Sequence, residues 1–342
     1  MSSPHGVPNV IRTGRSEVIP EIPESLLNDV GLDEDLKQVV RDLQIRSTLT
    51  VPLAARGRVF GAITLVWAES ANSYSDEDLP LAEELASRAA LAIDNARLFR
   101  ERDHIARALQ RSLLPPELPT VQGMELAATY RASGEGNEVG GDFYDVFETG
   151  DGNWSLVIGD VCGKGPEAAA LMGVARYTVR TASMQEQRPS GVLSILNEAI
   201  LRQSSDGRFL TVCYVRMHPH EDGARLTVCA GGHPLPLILR ADGVVEQAGV
   251  PGTLVGVLED PEFTDLAVEL GPHDALILFT DGVTDEQSAE EEFGEARLAT
   301  VVAGCVGYNA AQIAKTIEDA VLAFAPDSPR DDIAILVARV KS

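Results

Sequence analysis

Between Gly140 and Val340, short apolar runs repeatedly meet aspartate at their ends. "WSLVIGD" ends on Asp160 and "ALILFTDG" on Asp281, "VGGDFYDVF" sets Asp142 and Asp145 beside paired glycines, and "SPRDDIAILV" puts Asp331 and Asp332 at the head of a run. Apolar stretches of this length, bounded by Gly and Pro, read as strands. A strand ends on a carboxylate for one of two reasons. Aspartate caps turns by bonding to nearby backbone. Alternatively, several carboxylates converge; they then repel one another and their pKa values rise unless a cation sits among them. Oxygen ligands without histidine favour a hard ion, Mg²⁺ or Mn²⁺, over zinc.

The surrounding pattern supports strands. From Gly123 to Lys341, "MELAATY", "FYDVFE", "WSLVIGD", "LTVCYVRM", "ARLTVCA", "PLPLILR", "LAVEL", "ALILFTD" and "DDIAILVARV" alternate or are wholly apolar, with tight turns at "GDGN" and "EDGA". Interleaved with them, "PEAAALMGVARYTVRTASM", "SGVLSILNEAILRQ" and "AAQIAKTIEDAVLAF" carry helical periodicity. Strands in runs and helices in runs indicate an α+β fold with antiparallel sheets.

Upstream, "STLTVPLAARGRVFGAITLVWAE" alternates on either side of "ARGRV", a β-hairpin with Gly57 in its turn. Residues 76–114 are nearly free of Gly and Pro and predict one long helix, with Ser75 as cap and Asp76, Glu77 and Asp78 suiting the positive end of its dipole. Along it Leu85, Ala92, Phe99, Ala106 and Leu113 recur every seven residues, with Leu91, Leu98 and Ile105 one position earlier. Such a stripe calls for a partner helix, hence a homodimer through this linker; the alternative is a helix lying on its own domain. Proline in "LLPPELP" stops it.

Composition narrows the functions. The 342 residues suffice for two domains, and the formal charge of −24 disfavours nucleic acid or an anionic membrane as partner. No apolar run is long enough for a membrane span and no secretory signal opens the chain, so a cytoplasmic location is expected. Cys162, Cys213, Cys229 and Cys305 lack CxxC spacing and are expected to be reduced core thiols. "GDVCGKG" is not a phosphate-binding loop of the GxxxxGK[ST] kind, because Lys164 precedes Gly165 rather than a hydroxyl residue. Lys164 itself reads as a solvated lysine able to attract phosphate, and His233 as a histidine packed in a turn.

Taken in order, "GNEVGGDFYDVF", "LVIGDVCGKGPEAAALM", "CAGGHPLPLIL", "ILFTDGVTDEQ" and "PRDDIAILVARV" resemble the metal-dependent protein phosphatase (PPM) superfamily, in its SpoIIE/RsbU-like bacterial branch. "ALQRSLLPPELP" is similar to the segment preceding that domain. Upstream, "RTGRSEVIPEIPESLLNDV" through "VFGAITLVWAESANSYSDEDLPLAEELASRAALAIDNARLF" resembles the later part of a GAF sensor domain, without that domain's opening strand and helix. The resemblance implies three parts: residues 1–75 as a partial GAF-like domain, 76–114 as a linker helix, and 115–342 as an αββα sandwich of two antiparallel sheets.

It also implies a site. Asp142, Asp160 and Asp281, the carbonyl of Val161, and Asp331 would hold two Mn²⁺ or Mg²⁺ ions, with Asp332 at a neighbouring position and Asp145 in the same motif as Asp142 but not among the assigned ligands. The implied reaction is hydrolysis of phosphoserine or phosphothreonine by a water bridging the ions, with a phosphorylated STAS-domain regulatory protein as substrate. Some relatives carry a histidine where this chain has Cys162, so the leaving group would take its proton from elsewhere. Two other functions fit the same residues: a non-catalytic dimeric scaffold, or a hydrolase of small phosphoesters. The implied regulation runs from the linker into the helix after Asp160.

Overall fold

The computed structural model describes residues 3–23, 42–68, 72–133, 140–203, 207–288, 291–325 and 329–341, excluding the side chains of residues 102–113 and 166. The chain divides into two compact units, Met1–Glu101 and Arg102–Ser342.

In the first unit a short helix, α1 (Val7–Thr13), precedes β1 (Glu17–Ile19), β2 (Ile45–Ala55) and β3 (Arg58–Ala68), which form an antiparallel sheet in the order β1-β2-β3. Arg56 and Gly57 both take positive φ, the two-residue turn whose twist suits a hairpin. A 3₁₀ turn at Asp76–Asp78 leads into the long helix α2 (Leu79–Leu113). Its entry is fixed as the sequence predicts, with Ser75 N donating to the Asp78 carboxylate at 2.8 Å. The face α2 buries is unexpected: Ala82, Ala86 and Ala90 pack on Leu49, Val51 and Leu53 of β2. Alanines let helix and sheet approach closely. The heptad stripe is on another face, so Leu85, Leu91, Ala92 and Phe99 stay exposed and Leu98 is half-buried; the side chains of Ile105, Ala106 and Leu113 lie outside the described residues.

The second unit stacks two five-stranded antiparallel sheets. One runs β11 (Leu266–Leu270), β8 (Gly223–Gly231), β7 (Leu210–His220), β6 (Asn153–Val161), β5 (Asp142–Gly150); the other runs β10 (Val245–Gln247), β9 (Leu237–Leu239), β12 (Ala275–Phe279), β15 (Ile333–Val340), β4 (Met124–Arg131). Between them lies one core layer, in which Tyr144, Leu156, Ile158 and Val215 meet Leu276, Leu278 and Leu336. On the outer face of the first sheet Phe143, Val157 and Tyr214 pack on α3 (Pro166–Ala182) and α4 (Pro189–Gln203). Outside the second sheet, Ile277, Phe279 and Ile335 pack on α5 (Gly294–Ala303) and α6 (Ala310–Phe324). Every β6 residue from Ser155 to Val161 except Asp160 is buried, because apolar layers cover both sheet faces.

The acidic run after Asp281 forms a small hairpin, β13 (Gln287–Ser288) with β14 (Glu291–Glu292). Of the four cysteines, three are buried thiols. Cys162 is exposed, correcting the expectation of four core thiols: it follows the last residue of β6, where the chain has left the sheet.

Candidate metal centre

In the β5–β6 ladder Asp142 stands directly opposite Asp160. Like charges facing across strands oppose pairing, so this register is held by the apolar pairs beyond it. Asp142 shares the inter-sheet face with Tyr144 and Val146, is 2 % exposed, and accepts a 2.6 Å hydrogen bond from Thr280 Oγ1. Thr280 Oγ1 in turn accepts from Ala334 N at 3.0 Å, so one hydroxyl joins the ends of both sheets. Asp281, next in the chain, begins a 3₁₀ turn that extends β12 toward the same place.

One carboxylate oxygen each from Asp142, Asp160 and Asp281 lies within 4.8 Å of the others. Two oxygens on one Mg²⁺-sized ion are at most about 4.2 Å apart, so the donors need only small shifts to share a hard cation. The space beside them is kept open by glycine. A Cβ on Gly141 would lie 2.2 Å from Asp160 Oδ1 and 2.3 Å from the Val161 carbonyl oxygen, which therefore border one small volume. Gly141→Ala is expected to weaken Mn²⁺ binding at least about tenfold, because the methyl would displace the Asp160 and Val161 oxygens that border this volume. Calorimetric titration checks this, and unchanged affinity would show that the volume is not the binding site.

Burial is the first cause of the raised pKa of Asp142, followed by repulsion from Asp160; the Thr280 hydrogen bond opposes both. Asp160 is pushed up to about 7, by burial and then by the charges of Asp281 and Asp331. Asp281 is raised by burial and by Asp331. Packing therefore assembles a negative potential that a divalent ion would relieve.

The two aspartates of "RDD" divide. Asp332 is buried and accepts from Ser133 N at 2.7 Å and Tyr130 Oη at 3.2 Å. Asp331 is about half exposed, with Oδ1 3.1 Å from Lys164 Nζ. Its oxygens are outside the three-residue group, although its charge reaches both Asp160 and Asp281. Gly282 is also required here, since a Cβ on it would fall 1.9 Å from the Asp332 carbonyl oxygen.

Asp145 faces away from this group. Three residues after Asp142 on an alternating strand, it points into the helix layer, fully buried, and accepts from Arg176 Nε at 2.7 Å, Arg180 Nε at 2.6 Å and Arg180 Nη2 at 2.9 Å. Arg176 and Arg180 lie one helical turn apart in "ARYTVRT", a spacing that could have disclosed the partnership. His233 is buried, with Nδ1 2.8 Å from Thr211 Oγ1, and burial lowers its pKa to about 3, which suits a neutral packed ring. Glu286, which its sequence context does not single out, is buried and accepts from Arg330 N at 3.2 Å, bracing the turn before Asp331. A single carboxylate in an acidic run gives no such signal.

Two stacked antiparallel sheets between helix pairs, with clustered carboxylates at the strand ends, define a PP2C-type phosphatase fold. The RsbU and RsbW domains of Rv1364c from Mycobacterium tuberculosis superpose with a TM-score of 0.58 at 25 % identity, over 66 % of this chain and 62 % of that one. Residues 150–341 match the family Stage II sporulation protein E (SpoIIE), to which the chain belongs, and residues 4–94 match a GAF domain, a match that begins well ahead of the hairpin. Protein IcfG of Synechocystis sp. is 30 % identical over 219 residues, 56 % of this chain and 34 % of IcfG. Phosphoserine phosphatase RsbU of Bacillus subtilis is 25 % identical over 238 residues, 69 % of each chain. The matched region thus spans about a third of one curated relative and about two thirds of the other. Among the described residues, no helix is long and apolar enough to cross a membrane.

Proposed function

We propose that this chain is a metal-dependent protein serine/threonine phosphatase acting in the cytoplasm on a phosphorylated regulatory protein of the STAS type. The observation that carries this reading is the convergence of Asp142, Asp160 and Asp281 within 4.8 Å in a fold of this family. In this reading, Asp142, Asp160, the Val161 carbonyl, Asp281 and Asp331 hold two Mn²⁺ or Mg²⁺ ions. Such a pair activates water and neutralises charge on the phosphoryl oxygens. Thr280 fixes the Asp142 carboxylate for its ligand role, and Gly141 leaves room for the donors. The name phosphoserine phosphatase carried by RsbU supports phosphoserine as the bond cleaved.

The experiment is release of phosphate from p-nitrophenyl phosphate and from a phosphoserine protein, with Mn²⁺ or Mg²⁺ and then with chelator. Turnover should require the ion, and the phosphoprotein should be preferred over nucleotides. Turnover indifferent to chelation would sink the mechanism, and preference for small esters would favour the alternative substrate.

We also propose that two copies pair through α2. Exposed Leu85, Leu91 and Phe99 support this, since they lie on a face the first unit leaves uncovered. Leu85→Glu with Phe99→Glu is expected to halve the mass measured by light scattering. A full-length wild type that is already monomeric at micromolar concentration would rule the pairing out.

A further inference from the structure

We propose that Lys164 anchors the phosphate of the substrate and is held in reserve by Asp331 until a cation claims that carboxylate. This deepens the phosphatase reading and rests on it. The loop from Cys162 to Gly165 turns Lys164 back over the carboxylates: Gly163 and Gly165 both have positive φ, at 95° and 98°, so the lysine sits between two residues in backbone conformations that side chains rarely adopt. Lys164 Nζ is 3.1 Å from Asp331 Oδ1, donates to Ser133 Oγ at 2.8 Å, and reaches the Arg330 carbonyl at 3.5 Å.

The need for such a cation follows from charge. A phosphomonoester brings nearly two negative charges to a face lined by Asp142, Asp160, Asp281, Asp331 and Asp332, on a chain of net charge −24. Lys164 is a cation the structure places in contact with that face, and its charge already acts on Asp332 as well as pairing with Asp331. The pair is also built to open. Its side chains are 31 % and 52 % exposed, and ion pairs so accessible to water are weakly held. Once Asp331 turns toward a divalent ion, Nζ keeps Ser133 as its positioning partner and gains a phosphoryl oxygen, a role for which a lysine point charge is suited.

The two halves of the proposal leave opposite signatures on one variant. In full-length protein, Lys164→Gln removes both a competitor for Asp331 and a donor to phosphate. Calorimetry should show Mn²⁺ bound as tightly as in wild type or more so. Titration of inorganic phosphate into the Mn²⁺-loaded protein should show Kd raised about tenfold, the scale of one charge-assisted hydrogen bond. Lys164→Arg should recover most of the phosphate affinity, and KM should rise in Lys164→Gln with kcat changed less. Phosphate affinity that is not weakened by Lys164→Gln, or Mn²⁺ affinity that falls, overturns the proposal. These are binding measurements, so they stand apart from turnover. A wild type that binds phosphate yet hydrolyses nothing would sink the phosphatase reading and leave the anchor in place. Lys164 sits in a loop with its side chain about a third exposed, and thermal melts of each variant check that the fold is kept.

Discussion

Asp160→Asn is expected to cut phosphatase turnover on the order of a thousandfold, or about 4 kcal/mol of transition-state stabilisation, while making the metal-free protein more stable at pH 8. The two effects share one origin. The Asp160 carboxyl is pushed to about 7 in the folded chain, by burial first and by Asp281 and Asp331 next, against 3.8 for the free side chain. Between those values the folded state binds the proton more tightly than the unfolded state, so stability falls as pH rises through the window and is lowest above its upper limit. A shift of this size corresponds to a destabilisation on the order of 4 kcal/mol at pH 8 in the absence of metal. Asparagine keeps the shape and does not ionise, so the variant should lose that slope. Asp142, raised for the same reasons and facing Asp160 across the ladder, should be relieved as well.

Thermal melts in chelator at pH 5 and pH 8 provide the measurement. Wild type should melt lower at pH 8 relative to Asp160→Asn, and the gap should close toward pH 4. Mn²⁺ should then raise the wild-type melting temperature and leave the variant unmoved, since a ligand stabilises only a state that binds it. If the variant melts below wild type at pH 8 and still responds to Mn²⁺, Asp160 is a structural residue and the site lies elsewhere.

Much of this was readable in the residues. Strands such as "LTVCYVRM" and "ALILFTD" were legible because both sheet faces are covered, which makes nearly every position apolar. The paired glycines beside Asp142 were visible in the residues, but that the missing Cβ of Gly141 opens space beside Asp160 and the Val161 carbonyl depends on the fold that brings those strands together. The short strands β10, β13 and β14 and the helix α5 were not recovered, since strands of two or three residues carry no period and α5 begins at the end of an acidic run that hides its apolar face. The face by which α2 packs was missed for a different reason. Alanine contributes little to an apolar stripe, so a search for large residues finds the face left in water and overlooks the one that touches the sheet. Asp145 shows the limit of reading aspartates as a class. It shares a motif with Asp142, yet the odd spacing on a strand sends it to the opposite side.

That opposite side sets the second large expectation, that Asp145→Ala destabilises the second unit by about 3–5 kcal/mol and lowers its melting temperature by on the order of 10 °C. Asp145 has no exposed surface, and its carboxylate is the shared acceptor for Arg176 and for the two-toothed grip of Arg180, whose guanidinium also lies 4.7 Å over the Phe147 ring. Removing it takes the buried ion-pair acceptor away from the guanidinium of Arg176, 10 % exposed, beside an apolar layer that includes Val157 and Val179. Arg180, 38 % exposed, can turn partly toward water, so most of the cost falls on Arg176. Arg180→Ala alone should therefore cost clearly less than Asp145→Ala. Replacing all three by Leu and Met should recover much of the loss, because a packed apolar trio spares three charges their desolvation. The tryptophans make the measurement specific. The chain has two, and Trp154 lies on β6 while Trp67 lies on β3, so urea melts of the full chain in a Trp67→Phe background report the second unit alone. A midpoint that does not move in Asp145→Ala would mean that α3 is held to its sheet by apolar packing, with the buried charges contributing nothing.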